Sequence, residues 1–331
     1  MVWVPQYMWD LAHALLGSIF CVIPRHADTG FHSLCGSSCG NAKMIISTKL
    51  SHYISLTRLD NPIGSLLLLW PTLTGLWIAS SGSPSLVMIA IFSMGVVLMR
   101  SAGCAINDYA DRNIDRHVQR TSHRPVTSGA ISGREALMVS CVLILVSAPL
   151  LVPLNDLARL LALPSLALAL SYPWTKRVLA IPQAYLGLAF GFGILMAFAA
   201  VNGNISIIAI LLMIANIFWS VAYDTAYAIV DRDDDIKVGI RTSAITFGSY
   251  DVLAIMLCYA AMLAIYAWIG YALNLGAVFW LLWSVAAAIA AWYHTKLRTR
   301  EKALCFAVFL HNKWFGGTLF LGVVLGYHFQ G

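Results

Sequence analysis

Asn107 to Asp115 reads Asn-Asp-Tyr-Ala-Asp-Arg-Asn-Ile-Asp and follows a long apolar run. A second acidic stretch, Asp224 to Asp235, follows another. Acids are scarce, with Asp+Glu at 15 of 331 residues, yet three (Asp108, Asp111, Asp115) plus five (Asp224, Asp231, Asp233, Asp234, Asp235) fall in these two places. On a helix, Asn107, Asp111 and Asp115 are spaced by four, so their oxygens share one face. Asp231 and Asp235 repeat the spacing, and Asp224 lies two turns earlier on the same face. Two such ladders facing each other suit Mg²⁺, which takes one or two carboxylates, keeps water and draws its other ligands from substrate phosphates. The bland alternative is N-caps and solvated loop acids. It fits poorly, because acids at the ends of apolar helices are costly without a partner.

Basic residues stand close by. Arg112, Arg116, Arg120 and Arg124 follow the first stretch, and Arg232, Lys237 and Arg241 flank the second. Lys176 and Arg177 close the segment Tyr172-Pro-Trp-Thr-Lys-Arg. The guanidinium fork suits phosphate oxygens, and lysine acts as a point charge. Taken singly, each such residue sets topology as readily as it binds phosphate. Lys176 and Arg177 stand apart because their short loop keeps them at the membrane surface. No Gly-x-Ser-x-Gly elbow or His-Glu-x-x-His competes. Gly187, Gly191 and Gly193 follow no strand and read as close helix packing. Trp70, Trp174 and Trp280, near span ends, read as interface anchors. The seven scattered Cys imply neither a disulfide framework nor zinc.

A diphosphate site opening into an apolar bundle points to a lipid diphosphate. Its head would sit on Mg²⁺ at the surface and its tail between helices. Metal and cations would stabilise the leaving diphosphate. An allylic tail would ionise, an aromatic acceptor would trap the cation, and apolar walls would keep water out.

The elements that must position these residues are membrane spans. The chain is 60% hydrophobic and 11% charged, with a mean hydropathy of +0.77, far from a soluble domain. The expected fold is all-α, polytopic, with spans near 63–80, 85–106, 135–153, 157–172, 182–201, 206–223, 252–270, 275–293 and 314–329. The fourth is short, and Pro164 is expected to kink it. Ser51 to Asp60 reads as an interfacial helix carrying Arg58. Residues 1–45 read as a poorly structured extension, with the folded part, 46–331, beginning near Met44. Loops after the even spans hold fifteen Lys and Arg, while near those after the odd spans stands only Arg159, at the start of the fourth span. The positive-inside rule puts the even loops, with both acidic stretches, in the cytoplasm. The net charge of +6 thus reports on the lipid bilayer, not on nucleic acid. With no Arg/Ser-rich transit segment, a bacterial inner membrane is expected over a mitochondrial one.

At these residues the chain resembles the membrane-embedded aromatic prenyltransferases. The likeness rests on Arg58-Leu-Asp-Asn-Pro-Ile-Gly-Ser-Leu-Leu-Leu-Leu-Trp-Pro71, Arg100-Ser-Ala-Gly-Cys-Ala-Ile-Asn-Asp-Tyr-Ala-Asp111, His123-Arg-Pro-Val-Thr-Ser-Gly129, Tyr172-Pro-Trp-Thr-Lys-Arg177 and Ala222-Tyr-Asp-Thr-Ala-Tyr-Ala-Ile-Val-Asp-Arg-Asp-Asp-Asp235. It covers roughly residue 50 to the end. It implies nine transmembrane helices around a central cavity open sideways to lipid. It also implies Mg²⁺-dependent transfer of a polyprenyl group from polyprenyl diphosphate to the carbon ortho to the hydroxyl of 4-hydroxybenzoate, as in ubiquinone biosynthesis. By the resemblance, Asn107, Asp111, Asp231 and Asp235 would ligate Mg²⁺ with Asp115 close behind. Asp108, Asp224, Tyr227 and Tyr172 would line the substrate site, and Lys176 and Arg177 would hold the diphosphate. Arg58, or else Arg124, would face the acceptor's carboxylate. The ring proton would go to Asp231 or to pyrophosphate. Haem or chlorophyll prenylation is the alternative within the family. From other classes, a cation-coupled transporter needs acids at mid-span, and a CDP-alcohol phosphotransferase needs a Gly-containing acid spacing that is absent.

Overall fold

The computed structural model describes residues 48–118 and 120–329, all within one compact unit, Ile46–Gly331. The expected extension over 1–45 and the cysteines at 21, 35 and 39 lie outside the described residues. The four cysteines Cys104, Cys141, Cys258 and Cys305 are free.

After a helical segment at 48–56, nine long helices follow among the described residues. They are α1 (Ile63–Ala79), α2 (Leu86–Asp111), α3 (Gly133–Ser147), α4 (Asp156–Thr175), α5 (Pro182–Asn202), α6 (Ile207–Val238), α7 (Asp251–Ala272), α8 (Ala277–Leu297) and α9 (Lys302–His328). No strand occurs among the described residues. Eight of the nine are long and apolar enough to cross a membrane, counting the turns that extend α3 and α7, and α1 is shorter at 17 residues. The protein is a polytopic membrane protein.

Local chemistry sets the helix ends. Ser85, Asn155 and Ser206 cap α2, α4 and α6 by accepting from backbone N–H groups. Ser132 and Glu135 form a capping box at the start of α3. Gly203 and Gly239, at φ +68° and +72°, close α5 and α6 in the left-handed conformation that glycine adopts freely. The helix α4 runs through Pro164 and Pro173 to Thr175, so the short fourth span is a full one.

Two helices exceed their apolar runs. At about 1.5 Å per residue, α2 (26 residues) and α6 (32 residues) reach about 39 and 48 Å, against a hydrocarbon layer of about 30 Å. Their final turns therefore continue past the apolar stretch, and those turns carry the acids.

The core lies among α6, α7, α8 and α9, where Trp219, Tyr223, Tyr259, Tyr293 and Phe315 are buried. Asn312 accepts from Trp219 Nε1 at 2.9 Å and from Tyr259 Oη at 2.8 Å, which satisfies two polar tips in apolar surroundings. Trp70 belongs to a second cluster, stacked on Phe320, and is not an interface anchor as expected; Trp174 and Trp280 are partly exposed. The glycines on α5 serve close packing. A Cβ on Gly187 would meet Ile217 Cα at 2.7 Å, and one on Gly193 would meet Thr72 Oγ1 at 2.5 Å. In this way α5 is pressed against α6 and α1, and α1, α2, α4, α5, α6 and α9 surround a central cavity.

Candidate active site

Both acidic motifs sit on the last turns of their helices. The helix α2 ends at Asp111, so the first ladder has two rungs and not the expected three. Asn107 and Asp111 share a face. Asp115 lies past a turn, where it begins the short helix Asp115–His117. On α6 the helix is continuous, so Asp231 and Asp235 are one turn apart and Asp224 lies two turns before Asp231.

Cations from other segments meet these acids. Lys176 Nζ reaches Asp111 Oδ2 at 3.1 Å. Arg120 grips Asp231 with Nε at 3.1 Å and Nη2 at 2.6 Å, while its guanidinium lies over the Tyr227 ring at 4.4 Å. Asp108 is buried and accepts from Arg58 Nη2 at 2.9 and 3.1 Å and pairs with Arg124 Nη1 at 3.2 Å. The same Arg124 Nη1 binds Asp115 Oδ2 at 2.8 Å. Burial works against the Lys176 ammonium, but Asp111 beside it outweighs that effect and holds it above the ordinary lysine range. Burial likewise opposes the Arg124 charge, and Asp108 and Asp115 more than offset it.

Two donors in this cluster are unspent. Asn107 Oδ1 is buried with no hydrogen-bond partner. Asp235 is buried, and among the described residues no ion pair reaches it. Also among the described residues, no three acidic, His or Cys groups are gathered into a closed metal cage. An all-oxygen set contributing a few ligands, with the rest from phosphate, is what Mg²⁺ uses. The residues present therefore fit that ion together with a diphosphate, and do not form a stand-alone metal site.

The cavity, of about 720 Å³, runs from this charged mouth into an apolar interior. Lys176, Tyr172 and Tyr227 line the mouth, Asp224 lines the wall further in, and Ile91, Leu154 and Leu163 line the far part. On α2 the wall extends from Asn107 back to Ile91, about 24 Å along the axis. That is the shape of a slot for a charged head and a long apolar tail.

The structure redistributes some expected roles. Arg177 Nη2 donates to Ala110 O at 3.1 Å, which secures the end of α2, and it does not line the cavity. Arg58 sits at φ +57°, a strained conformation for a long side chain, with Nη1 on Ser55 O and Nη2 on Asp108. It ties the 48–56 helix to α2. Arg124 is likewise spent on two carboxylates. Neither expected anchor for the acceptor carboxylate is a free cation.

These contacts, together with the apolar slot, place the acids of two distant segments at one cavity mouth. The model of the UbiA prenyltransferase family matches residues 68–321. The chain belongs to this family. It is 58% identical to 4-hydroxybenzoate octaprenyltransferase of Paraburkholderia phytofirmans, over 84% of this chain and 97% of the relative. It is 59% identical to the enzyme of that name from Burkholderia pseudomallei strain 668, over 83% and 96%. Among solved structures, a UbiA homolog from Aeropyrum pernix K1 matches with TM-score 0.70 and 26% identity, over 79% of this chain and 97% of that one. A UbiA homolog from Archaeoglobus fulgidus bound to GPP and Mg²⁺ matches with TM-score 0.62 and 17% identity, over 83% and 99%. Membership in the UbiA family sets aside the transporter and phosphotransferase readings.

The residue roles read from sequence omit Arg100. It lies mid-way along α2 and lines the cavity, and its buried Nε has no hydrogen-bond partner. It approaches the Phe190 ring at 5.9 Å. A Cβ on Gly64 would come within 2.6 Å of its Nε and Nη2, so Gly64 leaves the space that the guanidinium fills. The signal was present in the sequence: Arg100 is a lone cation inside an apolar run, and such residues are functional by default.

Proposed function

We propose that this protein transfers a polyprenyl group from polyprenyl diphosphate to the ring carbon ortho to the hydroxyl of 4-hydroxybenzoate, releasing diphosphate, in the ubiquinone branch of quinone synthesis. The observation that carries this reading is the cavity itself. One end is lined by Lys176 and Arg120, which hold Asp111 and Asp231 of the two motifs just behind it, and the rest is an apolar slot long enough for a prenyl chain.

Asn107, Asp111, Asp231 and Asp235 would hold Mg²⁺, the ion that the A. fulgidus homolog carries with GPP. When bound, that ion supplies charge that stabilises the departing diphosphate. Lys176 and Arg120 lie beside the same acids and are placed to bind phosphate oxygens. Arg100 replaces Arg58 as the cation for the acceptor's carboxylate, because among the described residues it is the cavity arginine with no carboxylate in ion-pair contact. A fork facing a carboxylate fixes the ring's orientation as well as its place. Tyr172, Tyr227 and Phe190 line the cavity and would bring aromatic rings close to a carbon cation. The apolar walls exclude the water that would otherwise quench it. By the positive-inside rule the mouth faces the cytoplasm, and the bacterial relatives favour a bacterial inner membrane.

The experiment is turnover in isolated membranes with 4-hydroxybenzoate and polyprenyl diphosphate, with and without Mg²⁺. Prenylated 4-hydroxybenzoate formed only with the metal is expected. Absence of product with metal present, alongside product from another phenolic acceptor, would reassign the acceptor.

A further inference from the structure

The mouth accounts for binding and departure of the diphosphate, but the ring must also lose a proton, and the motif acids are poorly placed to take it. The hydrogen to be lost sits on the ring carbon meta to the carboxylate. The base must therefore stand within one ring's reach of the cation that anchors that carboxylate.

The two motif helices share a register. Arg100 precedes Asn107 by seven residues on α2, and Asp224 precedes Asp231 by seven residues on α6. Seven residues make two turns, so each lies on the same face as its motif partner and about 10 Å deeper. Arg100 and Asp224 thus form a second, inner tier that both helices present to the cavity, and both line it.

Asp224 also differs in kind from the mouth acids. Asp108, Asp111 and Asp231 are each locked in an ion pair, whereas among the described residues no ion pair includes Asp224. The Lys176 and Arg100 charges stand near it without reaching ion-pair distance, and the Gln183 side chain lies beside it. Gln183 is itself oriented, since its Oε1 accepts from Ser243 N at 3.0 Å. Ser243 Oγ is held in turn by Thr225 Oγ1 at 2.6 Å. The carboxylate lines the cavity with no direct ion-pair partner among the described residues, which leaves its oxygens open to accept a proton.

We infer that Asp224 is the general base that takes the ring proton. This rests on the proposed acceptor and on Arg100 as its anchor. In the step, the C–O bond of the prenyl diphosphate breaks and its electron pair leaves with the diphosphate. Ring π electrons form the new C–C bond. The C–H pair then returns to the ring as the proton passes to the Asp224 carboxylate, from which it leaves to solvent between turnovers.

The test compares Asp224→Asn and Asp224→Glu with the unaltered protein, using 4-hydroxybenzoate carrying hydrogen or deuterium at both carbons ortho to the hydroxyl. Asp224→Asn is expected to lower kcat about 100-fold. It should leave the KM for polyprenyl diphosphate within about twofold and acquire a primary isotope effect that the unaltered protein lacks. Asp224→Glu should regain part of the rate. Near-normal turnover of Asp224→Asn overturns the assignment. So does a loss of rate without a new isotope effect, or a loss accompanied by a raised KM for the diphosphate, which would place Asp224 with the mouth acids. If the unaltered protein forms no prenylated 4-hydroxybenzoate, the acceptor reading itself has failed, a result distinguishable from all of these.

Discussion

Arg120 and Asp231 are 111 positions apart in the chain, yet they form a two-pronged ion pair at the mouth of the cavity. The loop that follows the first motif therefore closes onto the second. Arg120 is also pinned from its other side by the Tyr227 ring. Burial opposes its charge, but Tyr227 and Asp231 keep it above the ordinary arginine range. Replacing Arg120 with Ala should raise the KM for polyprenyl diphosphate at least about tenfold, the effect of losing a charge-assisted contact. Lysine should recover only part of it, because a point charge cannot reproduce the fork. Steady-state kinetics in membranes separate the three proteins.

Asp108 and Asp111 are neighbours in the same motif with different partners, and their substitutions should fail in different ways. Asp108 holds Arg58 and Arg124 together. Asp108→Ala leaves two half-buried guanidiniums short of a counter-charge, a defect of about 3–5 kcal/mol for a buried pair. It should lower the thermal midpoint of the detergent-solubilised protein and release the 48–56 helix to protease. Asp111→Ala should insert into the membrane normally and lose turnover by at least about 100-fold. Blotting of membrane fractions beside the activity assay distinguishes the two outcomes.

Lys176 gives a pH expectation. Its folded-state value is raised, so its charge and the stability that charge contributes are fully present below the unfolded value of 10.5. They are lost only as pH climbs through the higher folded value. Between about pH 6 and 9, then, Lys176 should impose no limb on the activity profile. Lys176→Met should lower activity by a constant factor across that range. A profile whose shape changes on this substitution would show that Lys176 titrates within it.

The site's charge balance bears on metal removal. Asp111 and Asp231 are matched by Lys176 and Arg120 from within the chain. Like-charge repulsion among the acids is therefore partly compensated without an ion. Chelation should stop turnover while leaving the thermal midpoint and helix content nearly unchanged, and Mg²⁺ should restore the rate. Loss of helical circular dichroism on chelation would count against this balance.

Much of this was legible in the residues. The spans followed from apolar runs, and the meeting of the two acidic motifs followed from loop charge and helical spacing. What escaped was three-dimensional accounting of charge. Periodicity alone extends a ladder to Asp115, but the chain turns after Asp111 and delivers Asp115 to Arg124. The basic residues around the motifs look interchangeable in sequence. Only the folded contacts show that Arg58 and Arg124 are spent on carboxylates, that Arg177 secures a helix end, and that Arg100 lines the cavity with its Nε unpartnered. Trp70 shows the same limit: its position near a span end suggests the interface, while a stacked Phe320 draws it inward.

Two glycines on α2 allow the slot to be measured. A Cβ on Gly95 would touch only Leu150 Cδ1, at 3.9 Å, and one on Gly103 would meet nothing within 4 Å. Both positions line the cavity, so larger residues should fold while intruding on the lumen. Gly103 lies one turn from Asn107, beside the mouth, and Gly95 lies twelve residues back, about 18 Å deeper. Gly103→Leu should therefore impair every donor. Gly95→Leu should spare geranyl diphosphate and reduce turnover of octaprenyl diphosphate at least about tenfold, the effect of overpacking a fitted apolar site. Competition between short and long donors, read by product mass, checks this. If both variants fall equally on both donors, the prenyl tail does not follow the α2 wall.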